Sequence, residues 1–304
     1  MNPRRVIPAG MSFGNWTAPD GWRMRRFDWP ADGARGNILF LGGRGDFVEK
    51  YLEPLAHWHQ AGWGLTGFDW RGQGGSGRML ADPMICHAAD FDALLADLRA
   101  FVALWAAETK GPHVIVANSM GGHLVMRLLA EGTAVDGVVL TAPMVGIRVR
   151  GLSNCALGRI AGAAVRLGLG ERLIWRRDAG DVGGRMTSCP DRQADKLWWK
   201  AEHPEIASGG PSWGWTRAAC ASIGRLSDGD YRRITTPALI LASERDVIVD
   251  VRAIARAAAL MPAAELALFP GVGHELLREA DAVRLPVMAR IDRFLSSSLQ
   301  GRGQ

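Results

Sequence analysis

The sequence predicts an α/β fold built on a mostly parallel, doubly wound sheet, and three observations carry that reading. Short apolar runs rich in β-branched residues alternate with stretches whose apolar residues recur at helical spacing, as strand-helix-strand units require. The alternation stops near residue 145 and resumes near 235, which places an insertion inside one sheet, because neither half alone would own a complete core. One run, His113-Val-Ile-Val-Ala-Asn118, stops at Ser119-Met120-Gly121-Gly122, which reads as a strand, a sharp turn and a helix with the serine at the apex. With 304 residues, 48% of them hydrophobic, the chain can fill a core of that size.

Taken in order, residues 15–29 alternate apolar and polar side chains around the step Asp20-Gly21 and predict a hairpin. Residues 37–41 predict a buried strand running into Gly42-Gly43-Arg44-Gly45-Asp46, and residues 47–61 a helix with Tyr51, Leu52 and Leu55 on one face. A strand over 64–69 empties into 70–77, too glycine-rich for a regular element. An amphipathic helix over 90–107, the strand that ends at Ser119, its helix and a strand over 137–143 complete the first part. Residues 146–234 carry tryptophans at 175, 198, 199, 213 and 215, glycine pairs and scattered arginines. A strand over 236–243, a helix over 251–261, a strand over 265–269 and a helix over 281–299 follow.

The formal charge of +5 raises a nucleic-acid or membrane partner. Lysine occurs only at Lys50, Lys110, Lys196 and Lys200, and the arginines come with abundant alanine and glycine, the bias of a GC-rich genome. No nucleic-acid partner is expected. Residues 146–234 hold 15 Arg or Lys against 9 Asp or Glu; a scattered solvated surface accounts for this more simply than a basic face, which would serve peripheral contact with an anionic membrane. No run of about 18 uncharged apolar residues occurs and the N-terminus lacks the apolar stretch of a signal peptide, so a soluble, cytoplasmic protein is expected. Cys86, Cys155, Cys189 and Cys220 have neither metal spacing nor the density of a disulfide framework. No metal is expected, since His57 and His59 diverge on a helix and the remaining histidines outside the site have no ligand spacing. No cofactor is expected either: loop 42–45 lacks the Lys-Ser pair of a P-loop, and 72–77 misses the dinucleotide register.

The chemistry converges on Ser119. A serine hydroxyl is a weak nucleophile and needs a base in hydrogen-bond reach, itself held by a carboxylate. Asp246 lies just past one predicted strand and His274 just past the next, and strand C-terminal ends are where open α/β sheets build sites. The order Ser, Asp, His fits the nucleophile elbow, although Ala117 stands where that motif has its first glycine. Glu244 and Asp250 are weaker acid candidates. Two backbone donors are needed for an oxyanion, and position assigns them to Met120 and Arg44. Taken singly, Asp246 could be a helix cap and His274 a loop histidine; their joint placement is what speaks for chemistry.

On Asp20-Gly21, Asp69-x-Arg71-Gly72-x-Gly74-x-Ser76, Asn118-Ser119-Met120-Gly121-Gly122, Asp246-x-x-Val249 and Gly273-His274-Glu275-Leu276-Leu277-x-Glu279, the sequence resembles the serine α/β-hydrolases of the monoacylglycerol lipase and lysophospholipase type, also grouped with serine aminopeptidases. The resemblance covers most of 13–145 and 235–298. It implies an α/β-hydrolase core over 1–145 and 235–304, with a helical cap over 146–234 between strands six and seven, above an acyl pocket. It also implies the roles of nucleophile, acid and base for Ser119, Asp246 and His274. The expected reaction is hydrolysis of a small-molecule or monoacyl-lipid ester through an acyl-Ser119 intermediate. A peptidase or acyltransferase would use the same triad, and a silent binding scaffold is the reading from another class. Gly42-Gly43 replaces the family's His-Gly, and Ala117-Asn118 its Gly-His. Gly43, Trp198 and Trp213 are the pocket candidates, since each buried aromatic covers roughly 150–250 Å² and several could wall a lipid-sized site. The sequence leaves the oligomeric state open.

Overall fold

The computed structural model describes residues 2–174 and 186–300. Its strands are β1 (Ser12–Thr17), β2 (Arg23–Trp29), β3 (Asn37–Leu41), β4 (Gly64–Phe68), β5 (His113–Asn118), β6 (Gly137–Thr141), β7 (Ala238–Ser243) and β8 (Ala264–Phe269). They form one sheet in the spatial order β1-β2-β4-β3-β5-β6-β7-β8. The β1-β2 hairpin, turned at Gly21 with φ +89°, joins antiparallel through β2 to β4, and every later pair is parallel.

Alternation along the strands decides which helices cover which face. Leu39, Leu41, Ile115, Val138 and Ile240 join one buried cluster with α2 (Asp92–Glu108), α3 (Met120–Ala130) and α8 (Val251–Leu260). Ile38, Phe40, Val114, Val116 and Leu239 point to the other face, under α1 (Leu52–Gln60) and α9 (Asp281–Gln300). Helices on both faces make the sheet doubly wound, as expected. The predicted helix over 47–61 begins instead as a 3₁₀ turn, Val48–Tyr51. Pro54 has no N–H to give the Lys50 carbonyl, so the α-helical ladder starts only at Leu52.

Between β6 and β7 the chain forms α4 (Asn154–Arg166), α5 (Pro190–Glu202), α6 (Trp213–Ile223) and α7 (Asp228–Arg233). Helix α4 packs closely on α6, where Gly158 faces the Cβ of Cys220. Helix α6 sends Trp215, Ala218 and Ala219 into the first core cluster, and α7 packs against α3 and α8. Helix α5 lies on the N-terminal segment, where Asp195 pairs with Arg4 and Arg5 and Trp199 Nε1 donates to the Arg4 carbonyl (2.9 Å). The start of the insertion is tied to the loop after β7, because Arg148 N donates to the Ile248 carbonyl (2.9 Å). Trp175 lies outside the described residues.

Candidate active site

Ser119 sits between β5 and α3 with φ +52° and ψ −112°, a conformation a residue with a side chain adopts only under strain. Packing imposes it. A Cβ on Gly121 would lie 2.5 Å from the Gly42 carbonyl, and one on Gly122 3.0 Å from Pro143, so only glycines let the helix start this close to its neighbours. The Ser119 amide meanwhile donates to the Thr141 carbonyl (2.9 Å), which ties the turn to β6.

The structure brings Ser119, His274 and Asp246 together. Ser119 Oγ lies 3.0 Å from His274 Nε2, and His274 Nδ1–H donates to Asp246 Oδ2 at 2.7 Å. All three are buried, at 8, 2 and 0% exposure. The second oxygen of Asp246 accepts from the amides of Ile248 (2.7 Å) and Val249 (3.0 Å), so it cannot swing away from the imidazole. Burial works against both charges, yet the facing partner prevails. Asp246 holds the His274 pKa above the usual histidine value, and His274 with the two amides draws Asp246 below the usual carboxylate range. Of the other acid candidates, Glu244 is exposed and Asp250 caps α8 by accepting from Arg252 N (2.9 Å).

The loop carrying His274 is fastened to the insertion. Glu279, 0% exposed, accepts from Gly273 N (2.7 Å) and Ser188 N (2.9 Å), and Glu275 N donates to the Met186 carbonyl (2.7 Å). A Cβ on Gly273 would meet that carbonyl at 2.6 Å, so the residue before the histidine must be glycine.

Across the site, loop 42–46 presents three successive amides. Gly43 N–H is held by Asp46 Oδ2 (2.6 Å) and Gly45 N–H by the Gln73 side-chain carbonyl. The Arg44 amide between them has no partner among the described residues, and Met120 supplies the first amide of α3, which no preceding turn can accept. Gly43 approaches Ser119 closely enough that a Cβ would lie 3.0 Å from the serine's own, so the loop faces Ser119. The departures from family pattern fit one another here. Asn118 Nδ2 donates to Tyr51 Oη (3.2 Å) and its Oδ1 accepts from Thr141 (2.9 Å), while its amide nitrogen would crowd any side chain at Gly43.

The tryptophans fall differently from the sequence expectation. Trp198 packs under Arg5 (5.3 Å) and against Trp199, so its contacts run to the N-terminal segment, and Trp213 is half-buried at the start of α6. The ring beside the site is Trp215, 5% exposed and edge-on to Phe91, with the Arg44 guanidinium 5.4 Å above it and donating to the Gly209 carbonyl (3.1 Å). Two positions along a helix turn a side chain through about 200°, so Trp213 and Trp215 cannot face the same loop. His57 pairs with Asp292 (2.8 Å), and His59 stacks on Trp29.

A family model described as serine aminopeptidase, S33, matches residues 32–281. Lysophospholipase L2 of Escherichia coli is 31% identical over 282 residues, covering 85% of this chain and 80% of that one. A probable lysophospholipase L2 of Haemophilus influenzae is 28% identical over 276 residues, with coverages of 88% and 86%. Among solved structures, a soluble variant of monoglyceride lipase from Saccharomyces cerevisiae aligns with a TM-score of 0.76 at 20% identity, over 98% of both chains. A thermostable carboxyl esterase from Bacillus coagulans aligns with the same TM-score at 13% identity, over 96% of this chain and 100% of the esterase. The sheet order, the elbow and these likenesses agree: the chain belongs to the serine aminopeptidase S33 family and has the α/β-hydrolase fold.

Proposed function

We propose that this protein hydrolyses the carboxylic ester of a monoacyl lipid through an acyl-Ser119 intermediate, with residues 146–234 as the cap over the acyl chain. The observation that carries the reading is the hydrogen-bonded line from Ser119 Oγ through His274 to Asp246, set at a strained elbow. Ser119 Oγ attacks the ester carbon as its proton passes to His274 Nε2, and the Arg44 and Met120 amides receive the oxyanion. The intermediate expels the alcohol, which takes the proton from Nε2. Water then gives a proton to Nε2, adds to the acyl carbon and releases the fatty acid, and the proton returns to Ser119. Asp246 stays ionised throughout and holds the imidazole in the tautomer that leaves Nε2 free to accept.

The relatives named lysophospholipase and the fold neighbour named monoglyceride lipase support the choice of a monoacyl ester over a peptide. Contact with an anionic lipid surface belongs to the same proposal, because α4 leaves Ile160 and Leu167 in solvent beside Arg159 and Arg166. No described helix is long and apolar enough to cross a membrane. The four cysteines are free thiols, which suits action in the cytoplasm. A fluorophosphonate probe tests the chemistry: it labels wild type and not Ser119→Ala. Equal labelling of both, or of neither, would remove Ser119 as the nucleophile.

A further inference from the structure

Three corners of the site meet on one line of buried charge. Asp46 Oδ2 accepts from Gly43 N–H of the oxyanion loop (2.6 Å), from Tyr51 O–H (2.7 Å) and, at 3.4 Å, from the side chain of Asn118, the residue before the nucleophile. Asp46 Oδ1 is paired with Lys50 Nζ, and Lys50 reaches Glu275 Oε1 at 2.5 Å. Glu275 follows His274 directly, and its other oxygen is paired with Arg278. The Lys50 and Glu275 side chains are each 1% exposed, so neither touches bulk solvent.

Charges buried this deeply add little net stability over an apolar replacement, because desolvation offsets the attraction. Their geometric effect is specific. Lys50 has one short contact toward the loop that presents the Arg44 amide and another, to Glu275 225 residues away in sequence, toward the loop that presents His274. Burial alone would neutralise both carboxyls, but Lys50 draws each of them below its usual range, with Arg278 helping at Glu275.

We propose that Lys50 is a positioning residue for the reaction, bridging Asp46 and Glu275 so that the oxyanion loop is set in register with His274 Nε2. The inference rests on the reading of Ser119 as nucleophile. It gives Lys50 no contact with substrate. It also gives the charge a second, measurable effect. The groups that face the His274 imidazole are Asp246 and Glu275, which favour its protonation, and Lys50, which opposes it. Lys50 itself is faced by Asp46, Glu275, the Tyr51 ring and Lys196 of α5.

The test compares wild type, Lys50→Met and Lys50→Arg on a p-nitrophenyl ester, with kcat, KM and the pH dependence of kcat/KM. A displacement of about 1 Å can cost about 10²-fold, so Lys50→Met should lose about that much in kcat with KM changed less than about threefold. Its rise in kcat/KM should also move to higher pH, because a positive charge near the imidazolium is gone. Lys50→Arg should restore the position of that rise and most of kcat. An unchanged kcat and pH profile in Lys50→Met, or equal losses in Lys50→Arg, would overturn the proposal. Should Lys50→Met fail to fold, the charge-balanced Lys50→Met/Glu275→Gln carries the same kcat and KM test. Fluorophosphonate labelling of wild type and Ser119→Ala in the same series separates the two ideas: a wild type whose Ser119 does not label refutes the nucleophile, whereas a labelled wild type and an unaffected Lys50→Met refute only the positioning role.

Discussion

The edge of the sheet that carries Ser119, Asp246 and His274, the proposed catalytic edge, and the seam between the sheet and the helices that follow β6 bury polar groups in different ways. At the edge, Asp46, Lys50, Asn118, Thr141, Asp246, His274, Glu275 and Glu279 each have hydrogen-bond or ion-pair partners inside the protein. Along the seam, Ser208 Oγ, Trp215 Nε1 and Thr216 Oγ1 of the insertion, and His123 Nδ1 of α3 facing it, are buried without a partner among the described residues. Native interiors pair nearly all such groups, so these positions are where a substitution can test whether a buried polar atom contributes. At the edge the charged groups pair mainly with one another, while the seam combines single hydrogen bonds, such as Ser222 Oγ against His123 Nε2 (2.7 Å) and accepting from Arg127 (3.0 Å), with apolar contact where α6 presses Trp215, Ala218 and Ala219 into the core.

If the edge works as one preset unit, its largest test is at the triad. Ser119→Ala, His274→Ala and Asp246→Asn should each lower kcat by about 10⁴-fold or more, and double variants should lose hardly more than the worst single one. Additive losses would break the unit apart. The pH dependence sharpens the same point. The proposed mechanism uses neutral His274 as the base, and Asp246 raises its pKa, so kcat/KM should rise with pH through a value above about 6.5. A rise centred well below that would mean that the Asp246 hydrogen bond is absent in the working enzyme.

The seam should give smaller effects that depend on the substrate. In wild type each acyl methylene buried against the insertion should be worth up to about 0.8 kcal/mol in kcat/KM across a p-nitrophenyl ester series. Trp215→Leu should flatten that slope, whereas Trp198→Ala, whose ring packs on Arg5, should leave it as in wild type. The reverse pattern would show that α5, and not α6, walls the acyl chain.

The same contrast explains what could be read from the sequence. The sheet strands were legible because a buried parallel strand is a short run of β-branched residues, and Ser119, Asp246 and His274 because each lies just past one. Asp246 was separable from Glu244 and Asp250 by its place in the turn, which the two amides on its carboxylate account for. Trp215 was not separable from Trp213, since the two flank Gly214 in one short stretch and only the phase of α6 decides which one meets Arg44. Lys50 was hidden for another reason. Its local pattern suggested one helix over 47–61, and the partner that gives it meaning comes from the far end of the chain. The one trace was Asp46-x-x-x-Lys50, an acid and a base four apart at the mouth of a glycine loop. The segment 146–234 was legible only as a break in rhythm, because α4 to α7 follow one another without the intervening strands that mark each helix elsewhere.

The smallest prediction compares two threonines. Thr141, 0% exposed at the end of β6, donates its hydroxyl to Asn118 Oδ1 (2.9 Å), and Thr216, 3% exposed on α6, buries a hydroxyl with no partner among the described residues. Valine has nearly the same shape as threonine without the hydroxyl, so the two substitutions delete the same atom from opposite environments. At Thr141 the change strands an acceptor that is already buried, and stability should fall by about 1–3 kcal/mol. At Thr216 it removes a buried hydroxyl without a partner among the described residues, so Thr216→Val should be neutral or stabilising by up to about 1 kcal/mol. Urea unfolding midpoints, at unchanged slope, measure both. Equal losses would mean that the Thr216 hydroxyl does find a partner in solution, and the seam would then be as fully paired as the catalytic edge. A gain at Thr216 together with a loss at Thr141 would instead locate the incomplete polar contacts where α6 meets the sheet, directly behind the ring that Arg44 covers.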